Sequence, residues 1–104
     1  MTDTHIEDEK LISLYEITYL VRKEEDASFI SALLTKHGGE IEREEPVRKI
    51  QLAYPIKKEV FAFLGVCRFR MDASHLAELN ADLRLDAHSL RHLVTHSVSF
   101  QVQS

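Results

Sequence analysis

The chain has 104 residues, 44% of them hydrophobic, with 17 acidic against 13 basic side chains and a formal net charge of -4; that is one domain with enough apolar content for a core. The acidic balance excludes a nucleic-acid binder that is basic all over, so any RNA contact has to be local or shared with a partner. The lone Cys67 excludes an internal disulfide framework, and no apolar run approaches the ~20 residues of a membrane span, which predicts a cytoplasmic protein with no membrane partner.

Residues 1–10 are polar and acidic, with Asp3, Glu7, Asp8 and Glu9. They read as a flexible extension, having too few apolar groups to offset the entropy of ordering. The domain is expected over residues 11–98. Its first strand runs from Leu11 to Val21, with Tyr15, Ile17, Tyr19 and Val21 on one face and Glu16 and Thr18 interrupting the other. A charged turn, Arg22 to Glu25, leads to Asp26 as the N-cap of a helix whose apolar stripe is Phe29, Ile30, Leu33 and Leu34. Gly38 and Gly39 end that helix, supplying the left-handed C-terminal residue.

A second strand is predicted from Glu40 to Tyr54, with Pro46 inside it. Proline cannot donate to a ladder, so this strand belongs at a sheet edge. Pro55 closes it, and Lys57, Lys58 and Glu59 form a polar turn. Val60 to Met71 is apolar on both parities until Arg68 and Arg70, the pattern of a central strand. Cys67 lies within this run and reads as a buried, inert thiol. Asp72 or Ser74 caps a second helix carrying Leu76, Leu79 and Leu83, and Ser89 to Val98 forms the last strand. Residues 99–104 are a tail that extends it or frays.

The order β-α-β-β-α-β, with right-handed crossovers, has one common solution. It is an α+β ferredoxin-like sandwich: a four-stranded antiparallel sheet in spatial order 4-1-3-2, with two helices on one face.

Several segments also resemble a known family. Leu14-Tyr15-Glu16-Ile17, Gly38-Gly39-Glu40-Ile41, Asp82-Leu83-Arg84-Leu85-Asp86 and Leu90-Arg91-His92-Leu93-Val94 stand in the order and spacing of bacterial small-subunit ribosomal protein S6. The most specific segment is Lys49-Ile50-Gln51-Leu52-Ala53-Tyr54-Pro55-Ile56-Lys57-Lys58, similar to the family's basic stretch followed by Leu-Ala-Tyr-Pro-Ile. The resemblance covers about Leu14 to His96. It implies a non-enzymatic structural protein of the small subunit that binds the central domain of small-subunit rRNA together with ribosomal protein S18. It makes Arg48, Lys49, Lys57 and Lys58 candidate phosphate contacts, which position a protein without reading sequence. Arg68 and Arg70 join them if the open sheet face carries RNA or the partner, and Arg91 joins them from the last strand.

Other chemistry is thinly represented. Tyr54 is a candidate base-stacker, but a tyrosine before a proline more often packs its ring on the domain, and packing is the expectation here. His88, His92 and His96 recur at a spacing that suits metal only on a helix. On a strand successive members stand about 13 Å apart, at about 3.3 Å per residue, so no metal site is expected. No nucleophile–base pair or glycine-rich phosphate loop stands out, and neither cofactor, small-molecule substrate nor catalysis is expected. The rival reading is a ferredoxin-like ligand-binding or oligomerisation module without RNA. An acylphosphatase-type enzyme would need an arginine-bearing anion loop after the first strand; Arg22 has roughly that place but lacks the glycine-rich turn.

Overall fold

The computed structural model describes residues 12–99; the expected acidic extension (1–10) and all but the first residue of the expected tail (99–104) lie outside them. The strands are β1 (Ile12–Val21), β2 (Glu40–Glu44), β3 (Arg48–Ile56), β4 (Glu59–Asp72) and β5 (Ser89–Ser99), and the helices are α1 (Ala27–Lys36) and α2 (Leu76–Leu85). All strand pairs are antiparallel. β1 lies between β5 and β4, and β2 and β3 share the outer edge of β4. With β2 and β3 taken as one interrupted edge, this is the ferredoxin-like order 4-1-3-2.

The alternation in β1 builds the core. Tyr15, Ile17, Tyr19 and Val21 face the helices and are buried with Cys67, Phe69 and Met71 of β4, Ile30 and Leu34 of α1, and Leu79 and Leu83 of α2. Burying a side chain of this size is worth about 1.5–3 kcal/mol, so this layer holds the helices on the sheet. Gly65 is required at its centre. It stands opposite Tyr19, and a Cβ there would lie 2.2 Å from the tyrosine Cζ. The bare backbone lets the Tyr19 ring cross β4 towards the sheet edge.

Two caps behave differently. Gly38 has φ +83°, and the N–H groups of Gly38 and Gly39 donate to the carbonyls of Thr35 and Leu34 at 3.0 and 2.8 Å, a Schellman ending for α1. Asp26, expected to cap α1, lies instead in a 3-10 turn (Glu24–Asp26), and its side chain makes no capping bond. The half-turn places Asp26 at 9% exposure, against the body of the domain. Asp72 does cap its turn, accepting from the Ser74 N–H at 3.1 Å.

The main correction concerns the edge. The sequence predicts one strand from Glu40 to Tyr54; the structure has two, separated by Glu45, Pro46 and Val47. Pro46 removes a donor, and the Glu45 N–H, bonded to the Val66 carbonyl at 3.0 Å, ties the gap to β4. β3 also continues through Pro55 to Ile56. It can because Leu52, Ala53, Tyr54 and Pro55 stand against Val60 alone, between the Gln51–Phe61 and Ile56–Glu59 pairs. A bulge of this kind frees its residues from the ladder, and there proline is tolerated.

Candidate nucleic-acid interface

Facing residues of an antiparallel pair project from the same side of the sheet. Arg68 faces Glu16, Arg70 faces Leu14, Arg48 faces Leu64 and Arg91 faces Leu20. These four arginines therefore share the face opposite the helices. Lys49 faces Phe63 and emerges on the helix side, its ammonium 4.9 Å from the centroid of the Phe61 ring.

Lys57 and Lys58 form the tip of the β3–β4 hairpin. Ile56 pairs with Glu59, so the loop is two residues long, and both lysines have positive φ, 49° and 70°. A two-residue hairpin needs left-handed geometry at both positions, as in a type I′ turn. Lysine is a poor residue for it, and the sequence gives no conformational reason for two. β4 runs past the end of β1, whose last pair is Val21 with Phe63, so the tip stands beyond the main sheet. Ile56 and Ala62 anchor it by packing with Leu90 in a second buried cluster. Both lysine side chains are exposed.

The cations differ in what already holds them. Arg70 Nη2 is 2.9 Å from Glu42 Oε2, and Arg68 Nε is 3.9 Å from Glu16 Oε2. Arg48, Lys57, Lys58 and Arg91 make no ion pair among the described residues. Beside Arg91 the open face carries an apolar groove of about 480 Å³ lined by Leu20, Ile50, Leu64 and Leu93. Leu93 is 62% exposed. Sequence reading missed this groove, although Leu93 shares a parity with Arg91 and Thr95 and could have been placed on the solvent side.

With the strand order, the hairpin and the two sheet faces in view, comparison with known proteins decides the family. The family model described as Ribosomal protein S6 matches residues 14–96. The chain belongs to the ribosomal protein S6 family. It is 32% identical over 87 residues to small ribosomal subunit protein bS6 of Fusobacterium nucleatum, an alignment covering 77% of this chain and 93% of the relative. It is 30% identical over 88 residues to bS6 of Halalkalibacterium halodurans, covering 78% and 93%. The crystal structure of 30S ribosomal protein S6 from Thermotoga maritima superposes with a TM-score of 0.73 at 22% identity, covering 83% of this chain and 88% of that one. Family membership assigns the chain a structural role rather than an enzymatic one.

The remaining singled-out residues have structural neighbours. Arg22 is a clip: its Nη1 donates to the Ala87 carbonyl at 3.0 Å and its Nε lies 3.3 Å from Glu59 Oε2, joining the end of β1 to the α2–β5 turn and the hairpin. His88 precedes β5, stacks on Phe29 with ring centroids 3.7 Å apart, and bonds Asp86 at 2.8 Å. His96 lies 5.2 Å from the Tyr15 ring, whereas burial and then Arg84 hold His92 below the usual histidine pKa. The three histidines thus occupy separate surroundings. Cys67 is buried at 1% exposure, and burial, then Glu44, pushes its thiol up to about 12. Tyr54 corrects the expectation of packing: the bulge carries it away from the domain, and it is 60% exposed.

Proposed function

We propose that this chain is a structural component of the small ribosomal subunit in the cytoplasm, binding the central domain of its rRNA jointly with ribosomal protein S18. The observation that carries this reading is the family match over residues 14–96, and the relatives it resembles are small ribosomal subunit proteins. Lys57 and Lys58 at the hairpin tip, with Arg48 and Arg91 on the open face, are the proposed phosphate contacts; Arg68, Arg70 and Lys49 are secondary ones already engaged within the domain. Tyr54, exposed between them in sequence, is available to stack on a base. The apolar groove on the open face supports a shared assembly, since an exposed apolar patch is a surface that a protein partner covers.

The acidic balance requires such sharing. With a net charge of -4, long-range attraction to RNA is weak, and a basic partner supplies what grouped cations alone do not. The test is binding to central-domain rRNA with and without S18 over a salt series. Affinity should rise when S18 is present and fall linearly with salt on a log–log plot. Equal affinity with and without S18, or a flat salt response, would refute the reading.

A further inference from the structure

The break between β2 and β3 leaves a second feature on the helix side of the sheet. Glu44, Glu45, Pro46 and Val47 border a shallow pocket of about 350 Å³, closed on its other side by Glu24 and Ala27 and floored by Tyr19. The carboxylates alone would be ordinary surface. What sets the pocket apart is its floor. Tyr19 is buried at 1% exposure, and its hydroxyl has no hydrogen-bond partner among the described residues. A buried hydroxyl without a partner is costly. This one is carried to the edge because the ring crosses the bare backbone of Gly65, which brings it within electrostatic reach of Glu44.

The lining defines the ligand chemistry. Ala27, Pro46 and Val47 give apolar walls, Glu24, Glu44 and Glu45 give a negative rim, and a neutral phenol oxygen accepts hydrogen bonds at the base. An anion is excluded by the three carboxylates, and a bare metal ion would make no use of the apolar walls. A cation on an alkyl stem satisfies all three components: stem against the walls, N–H groups shared between carboxylate and hydroxyl. We infer that this pocket at the β2–β3 break, with Tyr19 as its floor, receives an arginine or lysine side chain of a basic polypeptide. Ser31 already donates to Glu44 and so fixes one carboxylate of the rim. The inference involves no RNA and stands apart from the phosphate contacts proposed above.

The experiment is amide chemical-shift titration of the full chain with n-butylguanidinium chloride, at ionic strength held constant with sodium chloride. Saturable shifts should concentrate at Ala27, Glu44, Glu45 and Val47. The Tyr19→Phe variant keeps the ring, so it should fold as stably as the parent or more so, and bind about tenfold more weakly, as loss of a hydrogen bond to a charged group requires. A capped Gly-Arg-Gly peptide should reproduce the shifts. Shifts spread evenly over all acidic residues, or equal affinity in Tyr19→Phe, would overturn the site. Binding of spermidine at this position without binding of the arginine peptide would overturn the polypeptide as its source.

Discussion

The hairpin tip allows charge and conformation to be separated in one experiment. Lys57 and Lys58 hold φ values of 49° and 70°, a region that costs an ordinary L-residue roughly 1–2 kcal/mol. Asparagine then glycine is the favoured pair for such a turn, so Lys57→Asn with Lys58→Gly should relieve about 1 kcal/mol in the folded state. For a domain of this size that corresponds to a rise of roughly 4–8 °C in Tm. The same pair of substitutions removes two cations. If both contact phosphate, the log–log salt slope of rRNA binding in the presence of S18 becomes shallower by about 1.4–1.8. Across a fourfold rise in salt the variant should then lose about tenfold less affinity than the parent. Thermal unfolding followed by circular dichroism gives the first quantity, and fluorescence anisotropy at several salt concentrations gives the second. Stability should rise while binding weakens. An unchanged salt slope would show that the lysines make no phosphate contact, and a fall in Tm would show that the turn does not strain them. Lys23→Gln, an exposed cation outside the hairpin, should leave both quantities unchanged.

Three further outcomes rest on the core and the helix layer. Gly65→Ala places a Cβ 2.2 Å from Tyr19 Cζ and should destabilise by about 1–3 kcal/mol, as overpacking does; in a Tyr19→Val background the same change should be close to neutral, read by urea unfolding of the four forms. The His37 hydrogen bond to Asp82 at 2.7 Å, assisted by Lys36, holds the Asp82 pKa below its ordinary 3.8. A depressed folded-state pKa contributes stability that is present above 3.8 and lost as pH falls below it, so Asp82→Asn should flatten the acid limb of a stability–pH curve. Cys67, buried with its thiol pushed up to about 12, should resist a thiol-specific disulfide reagent in the native state and react fully in denaturant; rapid native labelling would contradict its placement.

Much of this architecture was legible because local patterns and tertiary layout agree. The odd residues of β1 mark the helix side, Gly38 ends α1, and Pro46 marks an edge. What escaped was register. Four residues of β3 stand against one of β4 around Val60, and no pattern in Leu52-Ala53-Tyr54-Pro55 announces a bulge. Its consequence was the misplacement of Tyr54. A second shift, between Leu20 and Val21 in the pairing of β1 with β5, puts Leu90 in the cluster beneath the hairpin, whereas Val94 packs on the main core. Alternation alone assigns those two residues to one face. A slip of one residue exchanges faces, so an interface built from strand residues is harder to read than the fold that carries it.

The ion pairs rank the arginines of the open face. An arginine held by a carboxylate can bind phosphate only by exchanging one anion for another, whereas an unpaired one gives up only hydration. Arg68 lies 3.9 Å from Glu16, and Arg91 has no ion pair among the described residues, so Arg91→Ala should weaken rRNA binding more than Arg68→Ala. Glu16 also puts negative charge on the surface that would meet the backbone. Glu16→Gln should therefore tighten binding and make Arg68→Ala more damaging than it is in the parent chain. The Arg68–Glu16 pair is partly exposed, where an ion pair contributes only about 0–1 kcal/mol to stability, so these variants should unfold close to the parent. Differences in anisotropy-measured affinity then report the interface itself. If Arg68→Ala weakened binding as much as Arg91→Ala with Glu16 in place, the ion pair would not restrain Arg68, and the ranking would fail.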